Sequence, residues 1–313
     1  MRGTIAPVRA RFPPPRVTLT HPSGSTLRFY LGDCVETLSQ LPAGSVEAIV
    51  TSPPYNLGIQ YRSYDDTIPR DHYLAWTSGW ITAAARVLAE DGSLFLNVGA
   101  KPTDPWTALD VAQAVRPHLQ LQNTIHWIKS IAIEKDAAGA RAGLKADLAV
   151  GHYKPINSQR FLHDCHEFVF HFTKHGRTTI ERRAIGVRYQ DASNIGRWQG
   201  AADGLRCRGN TWFIPYETIQ SREKDRPHPA TFPPRLPAMC LKLHGQGRIG
   251  TVADPFMGLG STALACLELG LDFVGMEMDR TYLDEAVERA REAGARVVTA
   301  RGTRPARTAR PRK

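Results

Sequence analysis

Between residues 27 and 130, short apolar runs alternate with longer stretches whose apolar positions recur at helical spacing. The runs predict strands near 27–31, 46–51, 93–98 and 123–129, and the stretches between them predict helices near 34–40, 71–89 and 106–117. The hexapeptide Glu167-Phe168-Val169-Phe170-His171-Phe172 alternates polar and apolar residues and reads as an edge strand. Residues 134–151 are rich in Ala, Gly, Lys and Asp with little periodicity, and read as a mobile loop after the strand that ends Trp127-Ile128-Lys129. Residues 173–226 are turn-rich with aromatic islands at Trp198 and Trp212-Phe213-Ile214. The β/α pattern returns over 230–295 and closes on an amphipathic helix at 281–293, while residues 1–26 read as an irregular tail with at most one edge strand. No internal repeat is visible, and alternating β and α elements predict a sheet flanked by helices.

Two segments interrupt this pattern in chemically specific ways. The strand 46–51 runs into Ser52-Pro53-Pro54-Tyr55-Asn56. Two prolines cannot donate ladder hydrogen bonds or continue a helix, so the strand ends there on a stiff turn. The turn presents a hydroxyl, fixed carbonyls and an aromatic face, which suits a flat, amine-bearing ring; a plain strand end is the alternative. The second segment, Asp254-Pro255-Phe256-Met257-Gly258-Leu259-Gly260-Ser261-Thr262, joins a short buried strand to an Ala/Leu-rich helix. Glycines there let backbone N–H groups approach a ligand, and the helix N-terminus favours a carboxylate. A second strand follows and ends in Glu277, the position from which an acid grips ribose hydroxyls in such βαβ units. A dinucleotide fingerprint would want a third glycine where Ala263 stands, so the unit reads as a site for a nucleoside cofactor.

Charge is unevenly placed in the 313-residue chain. Residues 1–16 carry four arginines and 301–313 carry five arginines and a lysine, with no acid in either stretch. These ten charges match the formal net charge of +10, so the body between is near neutral. Tails rich in Pro and Arg read as disordered segments able to hold nucleic-acid phosphates without reading sequence, with compositional drift as the alternative. Residues 173–226 hold eleven Lys/Arg against six Asp/Glu. Arg182, Arg183, Arg188, Arg197, Arg206, Arg208 and Arg222 are candidate contacts to guanine edges and phosphates, against the alternative of a solvated basic face. Five cysteines without a Cys-x-x-Cys pair read as reduced thiols. No apolar run reaches membrane-spanning length and no signal peptide is evident, so a cytoplasmic, nucleoid-associated protein with no membrane partner is expected. His163, Cys165, His166, His171 and His175 lack a second Cys/His pair to complete a metal site, and no metal is expected.

The two segments, in this order, resemble those of the β-group DNA amino-methyltransferases, which methylate an exocyclic amine of cytosine or adenine using S-adenosyl-L-methionine. Further matches are Gly32-Asp33-Cys34, His228-Pro229-Ala230-Thr231-Phe232-Pro233, and the helix and strand from Trp80 to Leu96. The resemblance runs from about residue 27 to about 295 and is weakest over 173–226. It implies an α/β fold, the Rossmann-like seven-stranded methyltransferase sheet with permuted motif order. It further implies a basic N-terminal tail at 1–26, a catalytic half at 27–172, a target-recognition region at 173–226, a cofactor-binding half at 227–298 and an Arg-rich tail at 299–313. The loop at 134–151 would then close over double-stranded DNA.

The resemblance places S-adenosyl-L-methionine against Asp33 (adenine), Glu277 (ribose), Asp254 with the Gly258–Gly260 turn, Ser261 and Thr262 (amino-acid end), with His228 and Pro229 nearby. Phe256 packs beside the cofactor or in the core. Ser52 and the Pro53 carbonyl would accept the hydrogen bonds of the target amine, Pro54 would stiffen the turn, and Tyr55 would stack on the extruded base. Ring-carbon methylation needs a thiolate, presented in that class from a Pro-Cys turn, and no cysteine here follows a proline. Ser-Pro-Pro-Tyr is commoner among cytosine-N4 enzymes, and an acid or Asn before Pro-Pro-Tyr among adenine-N6 enzymes, so cytosine N4 is expected. Adenine N6 is the alternative, and a silent DNA-binding module of the same fold a distant third. A restriction endonuclease encoded separately and a monomeric or homodimeric state are compatible with the sequence.

Overall fold

In the computed structural model, residues 12–59, 61–139, 143–151, 157–189, 204–215 and 231–298 are described. The elements in chain order are β1 (Val17–Thr20), β2 (Thr26–Leu31), α1 (Cys34–Gln40), β3 (Val46–Thr51), α2 (Arg70–Val87), β4 (Leu88–Val98), α3 (Thr107–Val115) and β5 (Gln120–Ile128). They continue with β6 (Ser130–Ile133), α4 (Lys135–Ala138), β7 (Leu148–Gly151), β8 (His166–Thr173), β9 (Val187–Arg188), β10 (Leu205–Arg206) and β11 (Thr211–Phe213). The last are α5 (Arg235–His244), β12 (Thr251–Asp254), α6 (Ser261–Leu269), β13 (Asp272–Glu277), α7 (Arg280–Glu292) and β14 (Arg296–Val297).

The main sheet has ten strands in the order β11-β5-β8-β4-β3-β12-β13-β2-β1-β14. The seven from β5 to β2 form the expected methyltransferase sheet, extended by β11 at one edge and by β1 and β14 at the other. Strands β4, β3, β12, β13 and β2 pair in parallel, so their C-terminal ends share one rim. Strand β8 runs antiparallel to both β4 and β5, so its first residues, His166 and Glu167, reach that same rim.

Three expectations change. Residues 167–172 form an interior strand paired on both sides. Part of the predicted loop 134–151 is ordered: α4 forms, and β7 pairs antiparallel with β6 in register Ser130↔Gly151 to Ile133↔Leu148. Within residues 1–26, β1 lies between β2 and β14 and is integral to the sheet.

Buried apolar residues cover both faces. Leu38, Trp80, Ile81 and Val111 pack helices α1–α3 against one face. Leu241, Cys240, Cys266, Leu283 and Val287 pack α5–α7 against the other, where Trp127 and Trp212 also lie. Fully burying a large side chain of this kind contributes about 1.5–3 kcal/mol, so each helix is held chiefly by its inward stripe. One polar cluster sits within this core. Ser93 Oγ lies 2.9 Å from His171 Nε2 and 2.9 Å from His244 Nδ1, and His171 Nδ1 lies 2.9 Å from Asn123 Nδ2. Burial lowers the pKa of His171 to about 3, helped by neighbouring His244, and lowers that of His244 to about 4, helped by Arg248. Both rings are therefore neutral at physiological pH.

Candidate active site

The C-terminal rim opens into a cleft lined on one side by Ser52, Pro53, Pro54 and Tyr55, and on the other by Asp33, Gly258, Ser261 and Glu277. Strand β3 delivers the first set: it ends at Thr51, where the prolines stop the ladder. The Tyr73 hydroxyl donates to the Pro54 carbonyl (2.8 Å), tying the turn to α2.

Ser52 Oγ lies 2.6 Å from the Tyr55 hydroxyl. That hydroxyl in turn lies 3.1 Å from Asn97 Oδ1 and 3.2 Å from Glu167 Oε2. Asn97 Nδ2 donates to the Phe168 carbonyl (3.0 Å), which orients the amide oxygen toward Tyr55. Amide and carboxylate oxygens only accept, so Tyr55 donates to them and the Ser52 hydroxyl donates to Tyr55. Ser52 is left with lone pairs to accept from a ligand in the cleft. The Glu167 carboxylate is itself held by Lys129 Nζ at 2.9 Å, with side chains only 11 % and 19 % exposed respectively. Asn97, Lys129 and Glu167 come from β4, the end of β5 and β8, and the sequence reading gave none of them a site role. Gly99 permits the approach: a Cβ there would sit 3.0 Å from Tyr55 Cε2 and 3.2 Å from Glu167 Cγ.

The second wall is built by the βαβ unit. Gly258 and Gly260 have φ of +50° and +75°, a backbone that glycine adopts without strain. The turn brings the Gly258 N–H to Glu277 Oε2 (2.9 Å), while the Asp279 N–H donates to Glu277 Oε1 (2.8 Å). Burial raises the Glu277 pKa against these two hydrogen bonds. Each oxygen keeps a lone pair toward the cleft, as recognition of a diol requires. Asp33 caps α1, accepting from the N–H groups of Val35 (2.7 Å) and Glu36 (3.1 Å), and lines the cleft beside Cys34. Phe256 takes both of its expected positions: it lines the cleft and packs on Trp76 and Trp80, with ring centroids 5.4 Å and 5.1 Å away.

Asp254 and Thr262 stand elsewhere than expected. Asp254 is 1 % exposed and lies behind the cleft. Its carboxylate accepts from Thr51 Oγ1 (2.6 Å), Thr262 Oγ1 (2.7 Å) and the Phe256 N–H (3.1 Å). Burial raises its pKa to about 6 in spite of these donors. The pair is therefore a clasp joining the end of β3 to the start of α6. A hydrophobic tetrad before an acid marks a strand tip, but nothing local reveals that the acid turns inward.

The segment after Tyr55 forms a third wall. Asp66, 1 % exposed, accepts from the backbone N–H groups of Asn56, Leu57 and Ile59, and Ser63 Oγ donates to Asp279 Oδ2 (3.0 Å). This sets Tyr61 and Tyr64 on the cleft with Trp76 and Tyr282. The Tyr64 hydroxyl is buried there with no hydrogen-bond partner among the described residues. The aromatic walls, the glycine turn, the acid at Glu277 and this hydroxyl together fit a nucleoside bearing an amino-acid tail.

The remaining predicted residues divide. His228, Pro229, Arg197 and Arg222 lie outside the described residues, although adjoining Thr231 and Phe232 line the cleft. Arg182 and Arg183 are exposed and lie at the opposite end of the sheet from Ser52. Strand β8 leaves the cleft at Glu167 and ends at Thr173, and Glu181 N–H donates to Leu243 O (2.7 Å) at the C-terminal end of α5. The structure thus does not bring those two arginines to the cleft. Arg188 and Arg206 are exposed on the β9–β10 hairpin. Arg208 Nε donates to Ile185 O (3.0 Å), so it supports the local backbone.

No described helix is long and apolar enough to cross a membrane. Comparisons with known proteins agree with the geometry. A family model, that of DNA methylase (N6/N4), matches residues 46–288. The chain is 28% identical over 304 residues to type II methyltransferase M.XycI of Xanthomonas campestris pv. cyanopsidis, covering 88% of this chain and 90% of that one. It is 28% identical over 298 residues to M.Cfr9I of Citrobacter freundii, covering 88% and 91%. Its fold is similar to that of PvuII DNA methyltransferase (cytosine-N4-specific), with a TM-score of 0.57 at 17% identity over 86% of this chain and 89% of that one. A DNA modification methylase of Thermus thermophilus, solved in complex with S-adenosyl-L-methionine, matches with a TM-score of 0.54 at 22% identity, covering 85% and 94%. The chain belongs to the N6/N4 DNA methylase family and is a DNA methyltransferase.

Proposed function

We propose that this protein transfers the methyl group of S-adenosyl-L-methionine to the exocyclic N4 amine of a cytosine extruded from double-stranded DNA. The observation that carries this reading is the Ser52 hydroxyl at the cleft, with its proton directed to Tyr55 and its lone pairs left for an amine. Bound cofactor supplies an electrophilic sulfonium methyl. Glu277, the Gly258 turn, Ser261 at the start of α6, and Asp33 would hold it by its ribose, amino-acid tail and adenine.

The protein's own work is alignment. An exocyclic amine is a poor nucleophile because its lone pair is delocalised into the ring. Accepting hydrogen bonds from its two N–H groups, at Ser52 Oγ and the Pro53 carbonyl, favours pyramidal nitrogen and frees that lone pair. A neutral serine is too weak a base to take the proton early, so the proton leaves after the methyl arrives. Tyr55 presents its ring to the base, and stacking of this kind contributes about 1–3 kcal/mol per base. Residues 173–226 remain our choice for the target-recognition region, with Arg188 and Arg206 the exposed, described candidates.

Support for cytosine over adenine comes from the serine where adenine-N6 relatives carry an acid or Asn, and from the likeness to a cytosine-N4-specific fold. Digesting enzyme-treated DNA to nucleosides and separating them by mass spectrometry tests the reading. N4-methylcytosine is expected, and N6-methyladenine alone would refute it.

A further inference from the structure

We propose that Glu167, clamped by Lys129, is a positioning residue that acts on Ser52 through the Tyr55 hydroxyl. The proposal rests on the reading of Ser52 as acceptor of the target amine's hydrogen bond. It adds two residues, 38 positions apart in sequence, to the machinery of that site.

The argument is one of hydrogen-bond direction. A serine beside a tyrosine hydroxyl has two settings: it donates to the tyrosine, or it accepts from it. In the second setting one Ser52 lone pair is consumed and its proton points into the cleft, where it would oppose an amine that also brings only donors. Glu167 removes that setting. Its Oε2 lies 3.2 Å from Tyr55 Oη and can only accept, so the single Tyr55 proton is drawn toward Glu167 and Asn97 and away from Ser52. Ser52 must then donate to Tyr55, across 2.6 Å, and its oxygen faces the amine as an acceptor. Hydrogen bonds in a chain polarise one another, so the carboxylate at the far end also raises electron density on Ser52 Oγ.

Lys129 has its own part. At 2.9 Å from Glu167 Oε1 it holds the carboxylate ionised and fixes its plane, leaving Oε2 for Tyr55. The pair is largely shielded, at 19% and 11% exposure, where solvent screening is weak. Gly99 is part of the same arrangement, since any side chain there would press on both Tyr55 and Glu167.

The test is a double-mutant cycle on the full-length protein, reading total labelled methyl transferred to unmethylated bacterial DNA at saturating cofactor. Loss of a hydrogen bond to a charged group corresponds to roughly a tenfold to hundredfold change. Glu167→Ala is therefore expected to lower kcat by about that factor, with KM for cofactor nearly unchanged. Tyr55→Phe, which keeps the ring and removes the hydroxyl, is expected to lose a similar factor. The double variant should be no worse than Tyr55→Phe alone, because without the hydroxyl Glu167 has nothing to act through. Glu167→Gln retains an oxygen that accepts from Tyr55 and should recover most of the loss. Multiplying losses in the double variant, or an unchanged kcat in Glu167→Ala, would overturn the proposal. So would loss of cofactor binding in Glu167→Gln together with its activity, which would mark the residue as a support of the fold. The readout counts methyl groups whichever base receives them, so an N6-methyladenine product would refute the cytosine reading and leave this coupling standing.

Discussion

Replacing Asp254 with Asn should make the protein more stable above neutral pH and slightly less stable in acid. The wild-type carboxyl is buried, and its pKa is raised from 3.8 to about 6. Desolvation of the charged form outweighs the donors from Thr51, Thr262 and Phe256. A raised carboxyl binds its proton more tightly in the folded state than in the unfolded chain. Stability attributable to it is thus full below the unfolded value and falls as pH rises through the window from 3.8 to about 6. A shift of this size corresponds to about 3 kcal/mol, and about 2 kcal/mol of that is lost between about pH 4.5 and 7.5. Asn keeps the oxygen that serves Thr51 and the Phe256 N–H, and presents an amide N–H to Thr262. Thr262 can turn to donate to Val50 O, 3.3 Å away, at a loss of about 1 kcal/mol. Urea unfolding of both proteins across this range isolates the group, because every other titration cancels in the difference. The difference should move by about 2 kcal/mol in favour of Asn as pH rises. A difference independent of pH would refute the reasoning and mean that Asp254 is ionised at no net penalty.

Further outcomes are expected at the cleft and in the core. Ser52→Ala should lower turnover by on the order of 10² while cofactor affinity, measured by calorimetry, changes little, since the lost contact belongs to the reacting amine. Gly99→Ala should reduce turnover and lower stability by about 1–3 kcal/mol, because its Cβ would stand 3.0 Å from Tyr55 Cε2. Equal activity and melting temperature would show that the Tyr55–Glu167 packing is loose. His171 and His244 have depressed pKa values, about 3 and about 4, so their contribution is full above the unfolded value of 6.5 and is lost as pH falls below it. A His244→Gln variant should flatten that acid limb in unfolding titrations, and an unaltered limb would remove His244 from the explanation.

Local signals carried the sequence reading far at the two motifs. The limits of β3 and α1 follow from residues within a turn of each boundary: two prolines after Thr51, and an Asp33 cap before Cys34. Glycines at 258 and 260 similarly announced the turn into α6. What was not legible depends on partners distant in sequence. The alternation of Glu167–Phe172 reports which residues share a face, but not that strands pair on both sides, so β8 read as an edge. Strands β6 and β7 are held by each other across the 134–151 segment, with no strong pattern in either. Asp254 looked like a cofactor ligand because a strand-tip acid usually faces the ligand; Thr51, 203 residues away, turns it inward. Lys129 and Glu167 each looked like an ordinary strand-end charge until the fold set them behind Tyr55.

Methyl transfer to cytosine N4, organised by Ser52, is the central claim. Its most direct measurement is nucleoside mass spectrometry of DNA treated with the wild-type protein and labelled S-adenosyl-L-methionine. The account predicts label in N4-methylcytosine, reduced by on the order of 10² in Ser52→Ala. Label confined to N6-methyladenine, or N4-methylcytosine formed equally well by Ser52→Ala, would contradict it.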